Sequence, residues 1–295
     1  MERTHETQIR KIDCDSPEYP ARLRELPGMP EELYCLGALP KNDQPSVAVV
    51  GARKCSAYGR IQAFSFAREF SLAGIQVISG LALGIDAEGH KGALQGTTPT
   101  FAVLGNGVEK CYPASNRGVY RRILEAGGGI LSEYPPGTPA MAHHFPARNR
   151  IISGLADAVL VVEAKEKSGS LITANYGLDY GKPVYAVPGP VHEPLSRGCH
   201  KLIYDGAGIA YSVEVLLEEW GIRRKKESTN AEKNEIVLER DLKLVYSCLD
   251  LRPKNPDDII EETGLSSARV NSILTELSVM GLAYEAGIGR FVRMK

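Results

Sequence analysis

The stretch Val47-Ala48-Val49-Val50-Gly51-Ala52-Arg53-Lys54-Cys55-Ser56-Ala57-Tyr58-Gly59 decides how the chain is read. Four apolar residues run without alternation into a glycine and a polar turn, and an amphipathic stretch follows over Arg60–Ala73. A short unbroken apolar run bounded by a glycine turn predicts a strand buried on both faces, leading into a helix. The pattern recurs. Apolar runs at Gln76–Ser79, Thr100–Leu104, Gly129–Ser132, Ala158–Glu163, Pro183–Val187 and, more weakly, Gly208–Tyr211 predict further strands. Helical periodicity between them falls at Asp86–Gln95, Ser115–Ala126, Arg148–Leu155 and Leu171–Tyr180. Strands alternating with helices predict βαβ units and a mostly parallel sheet, and right-handed crossovers make it a doubly wound, Rossmann-like α/β layer structure.

The chain has 295 residues, with 43% hydrophobic and 24% charged side chains. That length predicts about two domains with sizeable cores. The composition excludes intrinsic disorder, a collagen-like repeat and a disulfide scaffold as global descriptions. Cys14, Cys35, Cys55, Cys111, Cys199 and Cys248 are at least 20 residues apart, so there is no CxxC pair and no zinc spacing. They read as reduced thiols. The polar start Met1-Glu2-Arg3-Thr4-His5-Glu6 carries no signal-like apolar run, and no stretch reaches the ~18 apolar residues of a membrane span. These features predict a cytoplasmic protein with no membrane partner.

A formal net charge of -1 argues at first against nucleic acid, whose phosphates need basic partners. Division of the chain alters that reading. Residues 1–45 hold 6 basic and 9 acidic side chains, residues 46–215 hold 16 and 13, residues 216–235 hold 5 and 5, and residues 236–295 hold 8 and 9. The middle segment therefore carries +3 and five of the six histidines. An anionic ligand there must be met by clustered residues rather than by a global field. The predicted organisation is a short lead-in over 1–45, an α/β core over 46–221, a linker over 222–235 and a small domain over 236–295. The linker holds Arg223-Arg224-Lys225-Lys226-Glu227-Ser228-Thr229-Asn230, a polar run without apolar periodicity.

In a doubly wound sheet, ligands bind at the carboxyl ends of the strands. The loops predicted there begin at Gly51, Gly80 and Gly105, and at Lys165. The second contains Gly84 and Asp86; the third contains Asn106 and Gly107 and continues to Tyr112, Pro113 and Asn116. The fourth, Lys165-Glu166-Lys167-Ser168-Gly169-Ser170, opens a helix at Leu171. Four strand ends leading into helix N-termini, with exposed N–H groups and a positive dipole end, predict anion sites. Arg53, Lys167, Lys201 and the trio Arg148-Asn149-Arg150 add charge-assisted phosphate contacts. Ser56 belongs to the first of these loops. Tyr58, Tyr112 and Phe145 are candidate base-stacking rings, and Tyr112 and Phe145 read equally as core aromatics.

Alternative phosphate ligands fit less well. A nicotinamide site needs GxGxxG after the first strand and an acidic residue about 20 positions on. Here Arg53 stands where a close-approach glycine is needed, and Ile78-Ser79 ends the second strand without a ribose acid. The P-loop pattern GxxxxGK(S/T) is absent. A nucleotide hydrolase of the lysine-decarboxylase-like, phosphoribohydrolase type uses a PGGxGTxxE loop with a working glutamate. The corresponding Lys167–Asn175 stretch keeps Gly169 and Thr173 but has no glutamate after them. No catalytic set replaces it. Asp86 and His90 stand i,i+4 as a conceivable relay, but Asp86 reads better as a helix N-cap. His143 and His144 are adjacent, so their rings are expected to point apart, which disfavours a metal site. No cofactor is predicted.

The blocks Val50-Gly51-Ala52-Arg53, Ser79–His90, Tyr112-Pro113-Ala114-Ser115-Asn116, Phe145–Leu155 and Ser168–Ala174 resemble the DNA processing protein A (DprA/Smf) family. They fall in the family's order over roughly residues 45–210, and Asp15–Leu23 and Leu33–Gly37 resemble its lead-in. The resemblance implies a single-stranded DNA-binding protein of natural transformation that shields incoming DNA and loads the RecA recombinase, as a homodimer and without catalysis. The family's first turn reads Gly-Ser/Thr-Arg; Arg53 keeps the arginine and Ala52 replaces the hydroxyl residue. About 45 residues precede the first strand, fewer than the longer helical module of many relatives. A cationic groove with stacking rings is also what sequence-tolerant single-strand binding needs on physical grounds.

The last 60 residues carry a different pattern. Ile236–Leu249 is amphipathic, Asn255–Leu265 reads as a short helix stopped by Gly264, and Ser266 caps Val270–Met280 with Ile273, Leu274, Leu277 and Met280 on one face. Gly281–Glu285 and Gly289–Arg293 predict a closing hairpin. The whole reads as a winged helix, a module that often ends the family's proteins. Arg269 and Asn271 stand near the start of its recognition helix, and both duplex DNA and a protein surface remain open as its partner.

Overall fold

The computed structural model describes residues 8–222, 240–250, 253–287 and 289–293. The chain divides into two compact units, Met1–Arg224 and Lys225–Lys295. The first unit is built on one nine-stranded sheet. Its strands in chain order are β1 (Arg10–Asp13), β2 (Glu32–Gly37), β3 (Ser46–Val50), β4 (Gln76–Ser79), β5 (Thr100–Val103), β6 (Gly129–Ser132), β7 (Ala158–Val161), β8 (Val184–Ala186) and β9 (Gly208–Ile209). The helices are α1 (Ala21–Arg24), α2 (Ala57–Leu72), α3 (Ile85–Ala93), α4 (Arg117–Glu125), α5 (His144–Leu155), α6 (Gly169–Asp179), α7 (Arg197–Tyr204) and α8 (Val213–Glu219).

The strand order is β1-β2-β6-β5-β4-β3-β7-β8-β9. From β6 to β9 all neighbours are parallel. The fold is thus the expected doubly wound α/β sheet. All five residues of β3 are buried, and they divide by strand alternation. Val47 and Val49 pack in one cluster with Phe66 and Phe70 of α2, while Ala48 and Val50 pack in another with Ile151, Ile152 and Leu155 of α5. Covering both faces explains the unbroken apolar runs that replace the alternation of a half-exposed strand. The lead-in adds what the sequence reading left unassigned. β2 pairs antiparallel with β6, and β1 pairs antiparallel with β2, extending the sheet by two strands.

The chain leaves β3 for β4, β5 and β6 on one side, then returns through α5 to β7 on the other. The sheet's winding therefore reverses between β3 and β7. Loops after these two strands open a crevice there, the place where such sheets hold ligands.

The second unit contains α9 (Arg240–Cys248), α10 (Pro256–Thr263), α11 (Ser267–Val279) and the antiparallel hairpin of β10 (Ala283–Gly287) and β11 (Arg290–Arg293). Its core gathers Leu242, Val245, Ile259, Val270, Ile273, Leu274 and Leu277. Asn255 and Asp258 form a capping box before α10, Pro256 takes the first helical position, and Gly264 ends the helix in the left-handed conformation at φ 68°. Ser266 caps α11 through the Arg269 N–H. Met280 departs from its expected place on the buried face: it sits beyond the last turn and is exposed. The linker run 223–230 lies outside the described residues.

Candidate functional site

A cleft of about 760 Å³ opens at the switch point. Gly51, Ala52, Arg53 and Lys54 of the β3–α2 loop form one wall, and Lys165, Lys167, Ser168, Gly169 and Ser170 of the β7–α6 loop form another. Tyr112, Phe145, Pro146, Arg148 and Asn149 complete it. Arg53, Lys54, Lys165 and Lys167 are all exposed, and none enters an ion pair with a described residue. Asp86 is the one carboxylate among the lining residues. The cleft is cationic in a chain whose net charge is near zero.

The floor is rigid. Arg148, on α5, is 4% exposed and donates to the Gly80 carbonyl at 2.7 Å and to the Val103 carbonyl, which tie it to the ends of β4 and β5. Its Nε–H donates to Asn149 Oδ1 at 3.1 Å, and Asn149 Nδ2 donates to the Gly169 carbonyl at 3.1 Å. One helix thus couples three strand-end loops. Gly80 is required for this approach, because a Cβ there would overlap the guanidinium. Burial lowers the Arg148 pKa to about 10, offset in part by Asp86 nearby. Burial in turn raises the Asp86 carboxyl, opposed by Arg148 and by backbone N–H donors including that of Gly80 at 3.2 Å. Asp86 lies in the first turn of α3 rather than at its N-cap, a position held by Gly84.

Above this floor Arg53 lies over the Phe145 ring at 5.1 Å from its centroid. Phe145 stacks with Tyr112 at 5.5 Å and 19° between planes. Tyr112 is 47% exposed, so the two rings form an open wall rather than a core cluster. Opposite, α6 begins in the cleft: Ser168 is its N-cap, with its hydroxyl 2.8 Å from that of Ser170.

The four expected anion sites are not equivalent. At α2, the site is filled from within. Glu163, 4% exposed and just past β7, accepts from the Ser56 N–H at 2.9 Å and from the Ser56 hydroxyl. Ser56 in turn caps α2 by accepting from the Gly59 N–H at 3.0 Å. Gly59 leaves the space that Glu163 fills, since a Cβ there would overlap the carboxylate. Of the N-termini at these strand ends, α6 presents its first residues, Gly169 and Ser170, to the cleft.

Several residues singled out in the sequence lie outside the cleft lining. Arg150 forms a bidentate ion pair with Glu133, at 2.9 and 2.7 Å, and donates to the Gly28 carbonyl at 2.7 Å. Helical residues two apart do not share a face, so Arg148 and Arg150 serve different surroundings. The Tyr58 hydroxyl donates to the Pro188 carbonyl at 2.8 Å, and its ring packs on the core. Asn116 is buried and donates to the Leu81 and Ala82 carbonyls, bracing the loop before α3. Gly105 accepts from His144 Nδ1 at 3.0 Å, and Gly107 is buried beside Glu109. Lys201 pairs with Asp205 at 2.8 Å in a neighbouring groove that shares Lys167, Ser168 and Gly169 with the cleft. The His143 and His144 rings meet edge to face at 4.5 Å, contrary to the expected divergence, and His144 stacks on Tyr134. Among the described residues no group of three or more His, Cys, Asp or Glu is placed to hold a metal ion.

Lys54, Lys165 and Glu163 are the residues that sequence reasoning passed over. The two lysines flank Arg53 and Lys167 in loops already singled out, so adjacency was their signal. Glu163 ends an apolar run, and a lone carboxylate at a strand end carries no pattern of its own.

Fold and cleft together define a doubly wound α/β protein with a cationic, aromatic-walled groove at its switch point. The chain belongs to the DNA recombination-mediator protein A family, which it matches over residues 10–221, and residues 229–285 match the DprA winged helix domain. It is 42% identical over 207 residues to protein Smf of Escherichia coli, covering 70% of this chain and 55% of that protein, so it spans little more than half the length of that relative. Its fold is similar to that of DprA from Streptococcus pneumoniae, with a TM-score of 0.67 at 38% identity over 72% of this chain and 74% of the other. It is also similar to DNA processing protein A from Helicobacter pylori, whose structure concerns a single-stranded DNA binding mode. That TM-score is 0.65, at 28% identity over 73% of this chain and 96% of the other.

Proposed function

We propose that the chain binds single-stranded DNA in the switch-point cleft, protects it, and loads the RecA recombinase onto it during natural transformation and recombination. The observation that carries this reading is the combination of four exposed cations on two loops, none in an ion pair with a described residue, with the open Tyr112–Phe145 stack. Cations follow a phosphate backbone, and rings accept any base face, so binding needs no sequence readout. Gly51, Arg53, Tyr112, Phe145, Arg148, Asn149, Lys167, Ser168, Gly169 and Ser170 line the site, with Lys54 and Lys165 beside them. The described relation to the Helicobacter pylori protein supports the choice of ligand.

The action is binding rather than catalysis. His90 is buried with its Nδ1 on Thr100 Oγ1 at 2.8 Å, so it does not serve Asp86 as a relay to the cleft. No helix among the described residues is long and apolar enough to cross a membrane, and the cytoplasm is the compartment where such DNA meets RecA. Tyr204, Ile209 and Tyr211 stand exposed near the terminal strand β9, a face suited to a second copy in a homodimer.

The test compares retention of a labelled oligo-dT and a duplex of equal length at roughly 50 and 200 mM salt. The single strand is expected to bind preferentially, with log–log affinity falling by about 0.7 per neutralised phosphate. Equal affinity for duplex, or indifference to salt, sinks the reading. Release of free base from nucleoside monophosphates would favour the hydrolase alternative instead.

A further inference from the structure

Glu163 is an acidic residue beside a cationic cleft, and Coulomb's law alone says that its removal strengthens binding of a polyanion. Its geometry says the opposite. Its carbonyl accepts from the Ala52 N–H at 2.8 Å, while its carboxylate accepts from the Ser56 N–H at 2.9 Å and from the Ser56 hydroxyl. The two ends of one residue therefore hold the two ends of one short loop. Between those anchors stand Arg53, Lys54 and Cys55, and the two cations are exposed on the cleft wall. The loop is fixed further by Ser56, which uses the same hydroxyl to cap the 16-residue α2. Long cationic side chains on an unanchored loop lose more freedom when they engage phosphate, which weakens binding.

We propose that Glu163 is a positioning residue that never touches the ligand but holds the Arg53–Lys54 loop in register with the Tyr112–Phe145 wall. The Glu163 charge is offset by the Ser56 N–H and hydroxyl, donors of the same loop, rather than left free to face phosphate. The carboxylate thus occupies the place at the head of α2 where doubly wound dinucleotide-binding sheets hold phosphate. Arg53 and Lys54 serve the polymer from the loop so anchored.

This inference rests on the single-stranded DNA reading, and its test separates the two failures. Wild-type protein, Glu163→Gln and Glu163→Ala are titrated with labelled oligo-dT across a salt series, with thermal melts as the check on folding. Gln keeps one acceptor for the Ser56 N–H and loses the charge; Ala loses both. The expected order is wild type tightest, Gln about threefold weaker and Ala at least tenfold weaker. The Ala log–log salt slope should be smaller by about 0.7 to 1.4, as one or two phosphate contacts disappear. A change in stability alone does not move that slope. Should Ala not fold, the Gln variant decides by sign. Gln binding as tightly as wild type, or more tightly, overturns the proposal. Failure of wild-type protein to bind oligo-dT overturns the DNA reading itself.

Discussion

The Arg53 guanidinium lies 5.1 Å above the ring centroid of Phe145, so the cleft's best-placed cation is oriented by an aromatic face and not by a carboxylate. A cation held over a ring keeps its charge available to a ligand, whereas one in an ion pair must first exchange partners. Arg53→Ala is expected to weaken oligo-dT binding roughly tenfold and to reduce the salt slope by about 0.7. Arg53→Lys should keep the slope, because the charge remains, while losing part of the affinity with the planar stack. A salt titration of the three proteins checks both, and an unchanged affinity in Arg53→Ala would mean that phosphate runs elsewhere.

Tyr112 and Phe145 lie nearly parallel, with ring centroids 5.5 Å apart. Tyr112, the more exposed of the two, offers its open side to a base. Tyr112→Ala should cost about 1–3 kcal/mol in binding of oligo-dT, the range for one stacked base, and Tyr112→Phe should cost little. The decisive control is an abasic oligonucleotide of equal length, which retains phosphates and lacks rings. A loss of equal size on the abasic strand would show that Tyr112 shapes the loop instead of stacking.

Arg150 supplies the contrast. Its guanidinium is committed to Glu133 and to the Gly28 carbonyl, joining α5 to the lead-in. Both partners are largely buried, with side chains 17% and 16% exposed. Arg150→Ala should therefore destabilise the first unit by about 1–2 kcal/mol while leaving oligo-dT affinity within twofold. Chemical denaturation and anisotropy titration on the same preparation read the two effects. A tenfold loss of affinity with unchanged stability would return Arg150 to the cleft.

Much of this arrangement was legible in the chain because doubly buried parallel strands write themselves as unbroken apolar runs. Val47–Val50 and Ala158–Val161 illustrate the case, and their parallel pairing creates the switch point. The second unit was equally plain, since Asn255, Pro256, Gly264 and Ser266 each mark a helix end by a local mechanism. β2 was harder to see. Only Leu33 and Cys35 of its six residues are buried, a strand-like alternation too short to separate from a turn. Side-chain destinations were least legible. Arg148 and Arg150 are two residues apart in one helix, and nothing in the sequence says that one meets the strand ends and the other Glu133. Glu163 illustrates the same limit, because its partner Ser56 lies 107 residues away.

His90 gives a pH signature of the core. Its ring is fully buried, Nδ1 meets Thr100 Oγ1 at 2.8 Å, and Nε2 has no hydrogen-bond partner among the described residues. Because Thr100 donates its own proton to the Val77 carbonyl at 2.7 Å, the imidazole is the donor in the pair and Nε2 is left unprotonated. Burial, reinforced by the Arg148 charge, holds the pKa down to about 3 from an ordinary 6.5. The unfolded chain therefore takes up a proton near pH 6.5, while the folded chain does so only near pH 3. Stability is fully expressed above about pH 6.5 and falls as pH drops through that window, by up to ~1.4 kcal/mol per pH unit. Asp86 works in the opposite sense, since its raised pKa lets the folded state bind a proton more readily than the unfolded one. His90→Gln isolates the histidine because Asp86 is common to both proteins. Between pH 7 and pH 5 the wild type should lose about 2 kcal/mol more than the variant, measured by chemical denaturation. Parallel losses in the two proteins would mean that His90 is protonated in the folded state and that the core accommodates its charge.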